Sequence, residues 1–158
     1  MNKFLLINLV LLLSKHQLLA DCQVPCGIYN DVARIIKIME DYKTIEKAMT
    51  KIVQLTRAPD PTSKNQLVRW VNTKDEHATS IQNTVTNYFM TQRLKESSIK
   101  YTDQLTLLHK ILITSMLCKQ TIDQKNPTRG LDLVNSFSKI YLDKHGAKHL
   151  KELTDRGK

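Results

Sequence analysis

Apolar residues recur every three or four positions along most of the chain beyond residue 30. The first such stripe comprises Val32, Ile35, Met39, Tyr42, Ile45, Met49 and Ile52. This spacing brings the side chains onto one face of an α-helix. Asn30 or Asp31 can cap its first turn, and Pro59 and Pro61 can break it. We therefore predict a long amphipathic helix that begins near Asp31 and ends before Pro59.

Three further stripes with the same spacing follow. The second comprises Leu67, Val71, Lys74, Ala78, Ile81, Val85, Tyr88 and Phe89. The third comprises Leu105, Leu108, Ile111, Leu112, Met116, Lys119 and Ile122. The fourth comprises Leu131, Val134, Phe137, Ile140 and Tyr141. Four amphipathic helices joined by short links pack well as an antiparallel four-helix bundle, so the predicted fold class is all-α.

Polar and turn-forming residues separate these stripes. Thr62 or Ser63 can cap the second helix, and Asn126-Pro127 can end the third. The polar tail from Lys144 onward is expected to fray. Lys74 is the irregular member of the second stripe, because a lysine is rarely buried without a partner.

The histidines give weak signals. His77 follows two acidic residues, and we expect it to be a solvated or interface histidine. His145 and His149 are four residues apart, a spacing that suits metal ligands on a helix. Gly146 and the polar character of the tail favour solvent exposure for both.

Residues 1–20 have the pattern of a secretory leader. Lys3 supplies a positive start, and the stretch Phe4–Leu13 is apolar except for Asn8. That run is too short for a membrane span, which needs about 20 residues. We predict a cleavable signal and a mature domain at residues 21–158, secreted or located in a lumenal or periplasmic compartment. The alternative is a protein anchored to a membrane by an uncleaved leader.

Composition excludes several common sites. The chain has 158 residues, which suits one domain, and its four glycines are too scattered for a dinucleotide or P-loop motif. The net charge is +9, of which Lys3 and Lys15 contribute two, so the mature chain carries +7. The basic residues are scattered and not interleaved with aromatic ones, so we expect no nucleic-acid partner. The positive charge then either forms a solvated surface or steers a small anionic substrate.

The strongest chemical signal is a pair of cysteines at the predicted mature N-terminus. Cys22 and Cys26 flank Pro25 in a segment that cannot be a regular helix. Three interpretations fit: a disulfide, a zinc site, or a metal held by two thiolates and the free α-amine. Nitrogen and sulfur donors in a flat arrangement suit Ni(II) or Cu(II). Cys118 lies on the third helix and is expected to be a buried structural thiol.

The segment from Cys22 to Tyr29 resembles the N-terminal hook of nickel superoxide dismutases, whose pattern is H-C-x-x-P-C-G-x-Y. The matching positions are Cys22, Pro25, Cys26, Gly27 and Tyr29. The resemblance continues at residues 65–71 and 87–89 and covers roughly residues 21–120, with the hook at 21–29. It implies a four-helix bundle that assembles as a homo-oligomer, a hexamer in that family.

The resemblance also implies a set of ligands for a nickel ion. They are the α-amine of Asp21, the backbone nitrogen and thiolate of Cys22, and the thiolate of Cys26. Tyr29 would guard the open face of the metal, with Tyr88 behind it, so these two tyrosines are the candidate catalytic residues. Lys74 would lie in the neighbourhood of the site. The implied reaction converts superoxide to oxygen and hydrogen peroxide as nickel cycles between Ni(II) and Ni(III).

One departure from the family pattern keeps alternatives open. Asp21 stands where the family has histidine, whose imidazole is the axial ligand of the oxidised metal, and a carboxylate is a harder oxygen donor. The alternative function is a non-catalytic or metal-binding-only helical-bundle homologue. Another is a secreted helical factor with a Cys22–Cys26 disulfide. In each case we expect no stable membrane insertion once the leader is removed.

Overall fold

A computed structural model describes residues 29–156, and its regular secondary structure over that range is helical. The helices are α1 (Asp31–Leu55), α2 (Pro61–Asn83), α3 (Tyr101–Gln120), α4 (Lys125–Tyr141) and α5 (Lys144–Arg156). A π-helical segment, Thr84–Arg93, continues α2. The predicted all-α class is confirmed. The predicted leader and the hook residues Asp21, Cys22 and Cys26 lie outside the described residues.

Helices α1 to α4 form a bundle with antiparallel neighbours. Asp31, at the start of α1, bonds to Arg93 at the end of the π-helical segment and to Tyr141 at the end of α4. Gln124, just before α4, bonds to the second half of α1 through the backbone oxygen of Glu46. The start of α1 therefore meets the ends of the π-helical segment and of α4, while the start of α4 lies near the end of α1.

The predicted first helix is confirmed in its position and its cap. The side-chain oxygen of Asn30 accepts a hydrogen bond of 3.0 Å from the backbone N–H of Ala33. Helix α1 ends at Leu55, before Pro59. Its inward face provides much of the core, which comprises Ile35, Ile38, Tyr42, Ile45, Met49, Ala78, Ile81, Val85, Phe89, Leu108, Ile111, Val134 and Phe137.

The predicted cap of the second helix is wrong. Asp60 is the cap, because its carboxylate accepts a hydrogen bond of 2.9 Å from the backbone N–H of Ser63. Pro61 then occupies the first helical position, where its missing N–H leaves no hydrogen bond unmade. The buried face of α2 begins only at Lys74, since Val71 is 37% exposed.

The inward face of α3 is more polar than the predicted stripe. Its buried residues are Gln104, Leu108, Ile111, Thr114, Ser115 and Cys118, whereas the predicted Met116 is exposed. The hydroxyls of Thr114 and Ser115 donate to carbonyls of their own helix at 2.8 and 2.9 Å, which satisfies them inside the core. The predicted stripe is therefore right at Leu108 and Ile111 and departs from the buried face in the second half of α3, where buried positions are polar. Helix α3 ends at Gln120, and Pro127 lies in the first turn of α4.

The buried Lys74 binds the free carbonyl groups at the carboxyl end of α3. Its ammonium donates to the backbone oxygens of Cys118 at 2.8 Å and Lys119 at 2.6 Å, and to the carboxylate of Asp75 at 2.7 Å. Carbonyls in the last turn of a helix lack partners within the helix. Lys74 is thus a structural lysine. It precedes Tyr88 by fourteen residues, roughly 20 Å along a helix, so the expectation that it lies in the neighbourhood of the site is wrong.

Cys118 is buried and not in a disulfide, as predicted. Burial raises the pKa of its thiol to about 12, although the nearby Lys74 ammonium acts in the opposite direction. The thiol therefore stays protonated near neutral pH and is a poor metal ligand there.

The tail beyond Lys144 is ordered as helix α5, so the expected fraying is wrong. The carboxylate of Asp143 accepts a hydrogen bond of 2.7 Å from the backbone N–H of Gly146, which fixes the first turn. Leu150 packs against the core, next to a groove between α1 and α4. None of the described helices is long and apolar enough to cross a membrane.

Candidate functional site

The described residues of the predicted site, Tyr29 and Tyr88, adjoin a cluster of charged and phenolic side chains at the start of α1. The carboxylate of Asp31 accepts hydrogen bonds from the Tyr88 hydroxyl at 2.7 Å and the Tyr141 hydroxyl at 2.9 Å. Arg93 donates two more through its Nε and one Nη atom, each at 2.8 Å. A bidentate guanidinium–carboxylate pair fixes both distance and orientation. Asp31 thereby ties the end of the π-helical segment and the end of α4 to the start of α1.

These contacts decide the protonation states of the cluster. Burial alone would raise the pKa of Asp31, but hydrogen bonds from Arg93, Tyr88 and Tyr141 outweigh it and hold this pKa below its usual value. Burial, together with the Asp31 carboxylate, raises the pKa of both tyrosines. The hydrogen bond to Asp31 raises the pKa of Arg93. At neutral pH the cluster therefore contains one carboxylate, one guanidinium and two neutral phenols.

Tyr29, the last residue of the predicted hook, lies against this cluster. The Arg93 guanidinium lies over its ring at 4.2 Å from the centroid, a distance suited to a cation–π contact. The ring also meets Tyr88 edge-on, with centroids 6.0 Å apart. Tyr29 is 42% exposed, whereas Tyr88 is 5% exposed. The two tyrosines that the resemblance pairs are thus in contact, one facing solvent and one behind it.

The π-helical segment explains how Tyr88 and Arg93 reach the same carboxylate. They are five residues apart, and hydrogen bonds in a π-helix join residues five apart. Two such residues therefore point in similar directions. In an α-helix, with 3.6 residues per turn, they would point about 140° apart. The backbone bond of 2.9 Å from the Leu94 N–H to the Phe89 oxygen closes the last of these wide turns.

Aromatic contacts connect this cluster to the core. Tyr88 meets Phe89 edge-on at 5.1 Å between centroids, and Phe89 meets Phe137 at 5.2 Å. Phe137 stacks on Tyr141 at 4.8 Å, and the hydroxyl of Tyr141 returns to Asp31. These contacts form a closed circuit, because both Tyr88 and Tyr141 bond to Asp31. The circuit holds the two tyrosine hydroxyls in place.

A cleft of about 460 Å³ opens beside Tyr29. Its wall includes Arg93 and Tyr141 from the cluster, and Asp143 and His145 from the start of α5. Charged and polar side chains therefore lie beside Tyr29, the first described residue. Among residues 29–156 no group of three or more metal-binding side chains comes together.

Sequence reasoning missed three members of this site: Asp31, Arg93 and Tyr141. From the sequence, Asp31 is a candidate helix cap and Tyr141 a member of an apolar stripe. The five-residue spacing of Tyr88 and Arg93 carries no signal unless a π-helix is assumed. A carboxylate two residues after the hook is the one indication that the sequence offers.

A second polar cluster lies further along α1 and involves His77. The buried carboxylate of Asp41 bonds to the ring of His77 at 2.5 Å and accepts from the Ser80 hydroxyl at 2.8 Å. Lys37 donates to the same carboxylate. His77, expected to be a solvated or interface histidine, is instead partly buried and bonded to this carboxylate within the chain. Asp41 follows Asp31 by ten residues, about 15 Å along the helix, so the two clusters are separate.

Comparison with known proteins gives one match. The family model of nickel-containing superoxide dismutase matches residues 16–145. Searches of the curated proteins and of the solved structures found no match. The matched region includes the hook and every residue of the Asp31 cluster.

Proposed function

The chain belongs to the nickel-containing superoxide dismutase family, and on that premise we propose that its mature form disproportionates superoxide. Two superoxide ions and two protons would give one oxygen and one hydrogen peroxide molecule. The observation that carries the proposal is the family match together with the hook residues Cys22 and Cys26. The paired tyrosines Tyr29 and Tyr88 support it, because they lie where the hook joins the bundle.

The donor set of the hook suits nickel. Cleavage between Ala20 and Asp21 would free an α-amine, whose pKa near 8 lets it bind metal at neutral pH. Cys22 would add a backbone nitrogen and a thiolate, and Cys26 a second thiolate. Thiolates and nitrogen donors favour this metal over magnesium or calcium. Bound nickel supplies the one-electron chemistry by alternating between Ni(II) and Ni(III).

Tyr29 and its neighbours would shape the approach to that metal. Cys26 precedes Tyr29 by three residues, so chain geometry holds their Cα atoms within about 11 Å of each other. Arg93 holds the Tyr29 ring from one side, and Tyr88 meets it edge-on. The hydroxyl of Tyr88 is neutral and donates to Asp31, so it fixes the position of the ring behind Tyr29. The guanidinium of Arg93 is paired with the Asp31 carboxylate, so attraction of an incoming anion would come from the net positive charge of the mature chain.

A non-catalytic, metal-binding homologue is the second candidate. The observation that favours it is Asp21, because its carboxylate would add negative charge to a site with two thiolates and would not supply the imidazole nitrogen of the family pattern. Substituting Asp21→His would then raise activity if the rest of the site is intact. Equal activity of the natural and substituted chains would argue against the importance of this residue.

Further copies of the chain are proposed partners, and a secreted, lumenal or periplasmic location is the proposed compartment. Several apolar side chains are exposed at the end of the bundle farthest from Asp31. They are Val53, Val68, Val71 and Ile122. Contact between copies would cover them, as in the hexamer implied by the resemblance. Sedimentation of the natural chain and of a Val68→Lys variant tests this, and a monomer in both would refute it.

The function is tested first by metal analysis of the mature chain. The N-terminus is sequenced, nickel is measured, and accessible thiols are counted. A start at Asp21 with one nickel per chain and protected hook thiols is expected. A Cys22–Cys26 disulfide without nickel would refute the proposal, and so would an N-terminus other than Asp21.

A further inference from the structure

We propose that the groove between α1 and α4, which α5 borders on a third side, binds a long-chain carboxylate. The hydrocarbon chain would lie on an apolar floor, and the carboxylate would meet exposed lysines. The groove has a volume of about 460 Å³, within the range of about 300–1,000 Å³ that is common for ligand sites. It shares no residue with the Asp31 cluster, so this inference goes beyond the proposed reaction and does not depend on nickel.

The floor of the groove is apolar and continuous with the core. Its large apolar side chains are Met39 of α1, Leu131 and Leu142 at the two ends of α4, and Leu150 of α5. Each packs against the core on one side and lines the groove on the other. Leu131 and Leu142 are eleven residues apart on one face of α4, about 16 Å along the helix. The floor is therefore long enough for an extended hydrocarbon chain.

The buried polar group in this floor already has a hydrogen bond. Ser138 lies between Leu131 and Leu142 and is 6% exposed. Its hydroxyl donates to the backbone oxygen of Asn135 at 2.8 Å. A hydrocarbon chain can therefore cover Ser138 without leaving this hydroxyl unpaired, which would otherwise oppose binding.

The rim of the groove is cationic. Exposed lysines line it from each of the three helices, namely Lys43, Lys139 and Lys151. No acidic side chain of residues 29–156 lines this groove, whereas the cleft beside Tyr29 includes Asp143. The ion pairs found in the described part of the chain do not involve Lys43 or Lys139. An apolar floor with ammonium groups at its edge is complementary to a ligand with a hydrocarbon chain and an anionic head.

The relative exposure of floor and rim favours a single chain over a flat partner. The four apolar side chains of the floor are only partly exposed, whereas the lysines are fully exposed. A bilayer or a second protein would therefore meet the lysines before it reached the floor. A slender hydrocarbon chain can enter between them and contact the floor along its length.

The test measures binding of monomeric dodecanoate to the mature chain by isothermal titration calorimetry, below the concentration at which micelles form. We expect saturable binding of one dodecanoate per chain. Decanoate is shorter by two methylenes and should bind up to about 15-fold more weakly, because each buried methylene strengthens binding about fourfold. Dodecyltrimethylammonium has the same chain and the opposite charge, and it should not bind.

Nuclear magnetic resonance of leucine methyl groups locates the bound chain. Dodecanoate should shift the signals of Leu131, Leu142 and Leu150, which line the groove. The signals of Leu117, which lies on α3 and outside the groove, should not move. Shifts confined to leucines elsewhere would overturn the proposal.

Matched variants separate the rim from the net charge of the chain. Lys139→Gln should weaken dodecanoate binding about twofold to fivefold, as expected for an exposed ion pair. Lys110→Gln removes the same charge at an exposed position of α3 outside the groove and should leave binding unchanged. Ala147→Phe places a large side chain in the groove and should prevent binding, with circular dichroism confirming that the helices remain.

The other outcomes would overturn the proposal. They include no saturable binding, equal binding of the two head groups, and equal weakening by K139Q and K110Q. Binding to phosphatidylglycerol vesicles but not to monomeric dodecanoate would assign this face to a membrane surface. A dimer that A147F dissociates would assign it to a second copy of the chain. These measurements involve neither nickel nor superoxide, so their failure would leave the proposed function intact.

Discussion

Replacing Asp31 by asparagine should destabilise the fold and remove a pH dependence. Asparagine keeps the shape of the side chain and one acceptor oxygen, but it loses the charge that faces Arg93. A hydrogen bond to a charged group contributes about 1.5–3 kcal/mol. The Asp31 and Arg93 side chains are 18% and 26% exposed, which places the pair at the lower end of that range. Because the substitution weakens two such bonds, we expect the free energy of unfolding to fall by about 2–3 kcal/mol.

The pH dependence of this loss follows from the direction of the pKa shift. The pKa of Asp31 is lower in the folded chain than its ordinary value of 3.8. The stabilisation by its charge is therefore fully present above that ordinary value, and it is lost as the pH falls through the folded-state pKa. The difference in unfolding free energy between the natural chain and D31N should be constant near neutral pH and shrink in acid.

Urea unfolding of the mature chain, followed by circular dichroism, measures both effects. The expected loss corresponds to a midpoint lowered by about 1–2 M urea. Asp132→Asn, at an exposed position on α4, is the matched control and should change the unfolding free energy by less than about 0.5 kcal/mol. Combining Asp31→Asn with Arg93→Gln should cost less than the sum of the two single changes. A loss below about 0.5 kcal/mol for D31N at neutral pH would refute the reasoning, as would a loss that persists unchanged in acid.

Three other predictions concern packing, ligands and substrate. Gly130→Ala should destabilise the fold by about 1–3 kcal/mol in urea unfolding, because its methyl group would lie 2.2 Å from the Tyr42 ring; an unchanged midpoint would contradict this. Cys26→Ser should abolish nickel binding in metal analysis while Cys118→Ser retains it, and nickel in both would exclude Cys26 as a ligand. Superoxide decay catalysed by the nickel-loaded chain should slow as salt rises, because the charge of +7 is screened beyond about 8 Å at physiological ionic strength; a flat rate would exclude steering.

The elements with a strong apolar period were predictable from the sequence. Helix α1 follows its stripe closely because its inward face is mostly apolar, and Asn30 caps it as expected. The predicted face of α3 is right at Leu108 and Ile111 but wrong in the second half of the helix, because Thr114 and Ser115 are buried there and satisfy their hydroxyls within the helix. Periodicity counts only apolar residues, so it cannot recognise buried polar ones. Helix α5 was missed for a related reason, since Leu150 is one of few apolar residues in a polar segment.

The candidate site was predictable only where a motif marks it. The hook pattern indicated Tyr29 and the resemblance at residues 87–89 indicated Tyr88, and the structure brings these two rings together. The carboxylate that organises them comes from Asp31, whose partners lie 57 to 110 residues away in the chain. Such contacts depend on how the helices pack and on the π-helical turn that aligns Arg93 with Tyr88. No local pattern encodes either of these.

The decay of superoxide in the presence of the nickel-loaded mature chain tests the proposed function most directly. The natural chain and the Cys26→Ser variant are compared after each is incubated with Ni(II). We predict that the natural chain removes many superoxide ions per bound nickel and that the variant removes none beyond the uncatalysed rate. A natural chain that binds nickel but removes superoxide no faster than the variant would contradict the enzymatic function and identify the protein as a non-catalytic homologue.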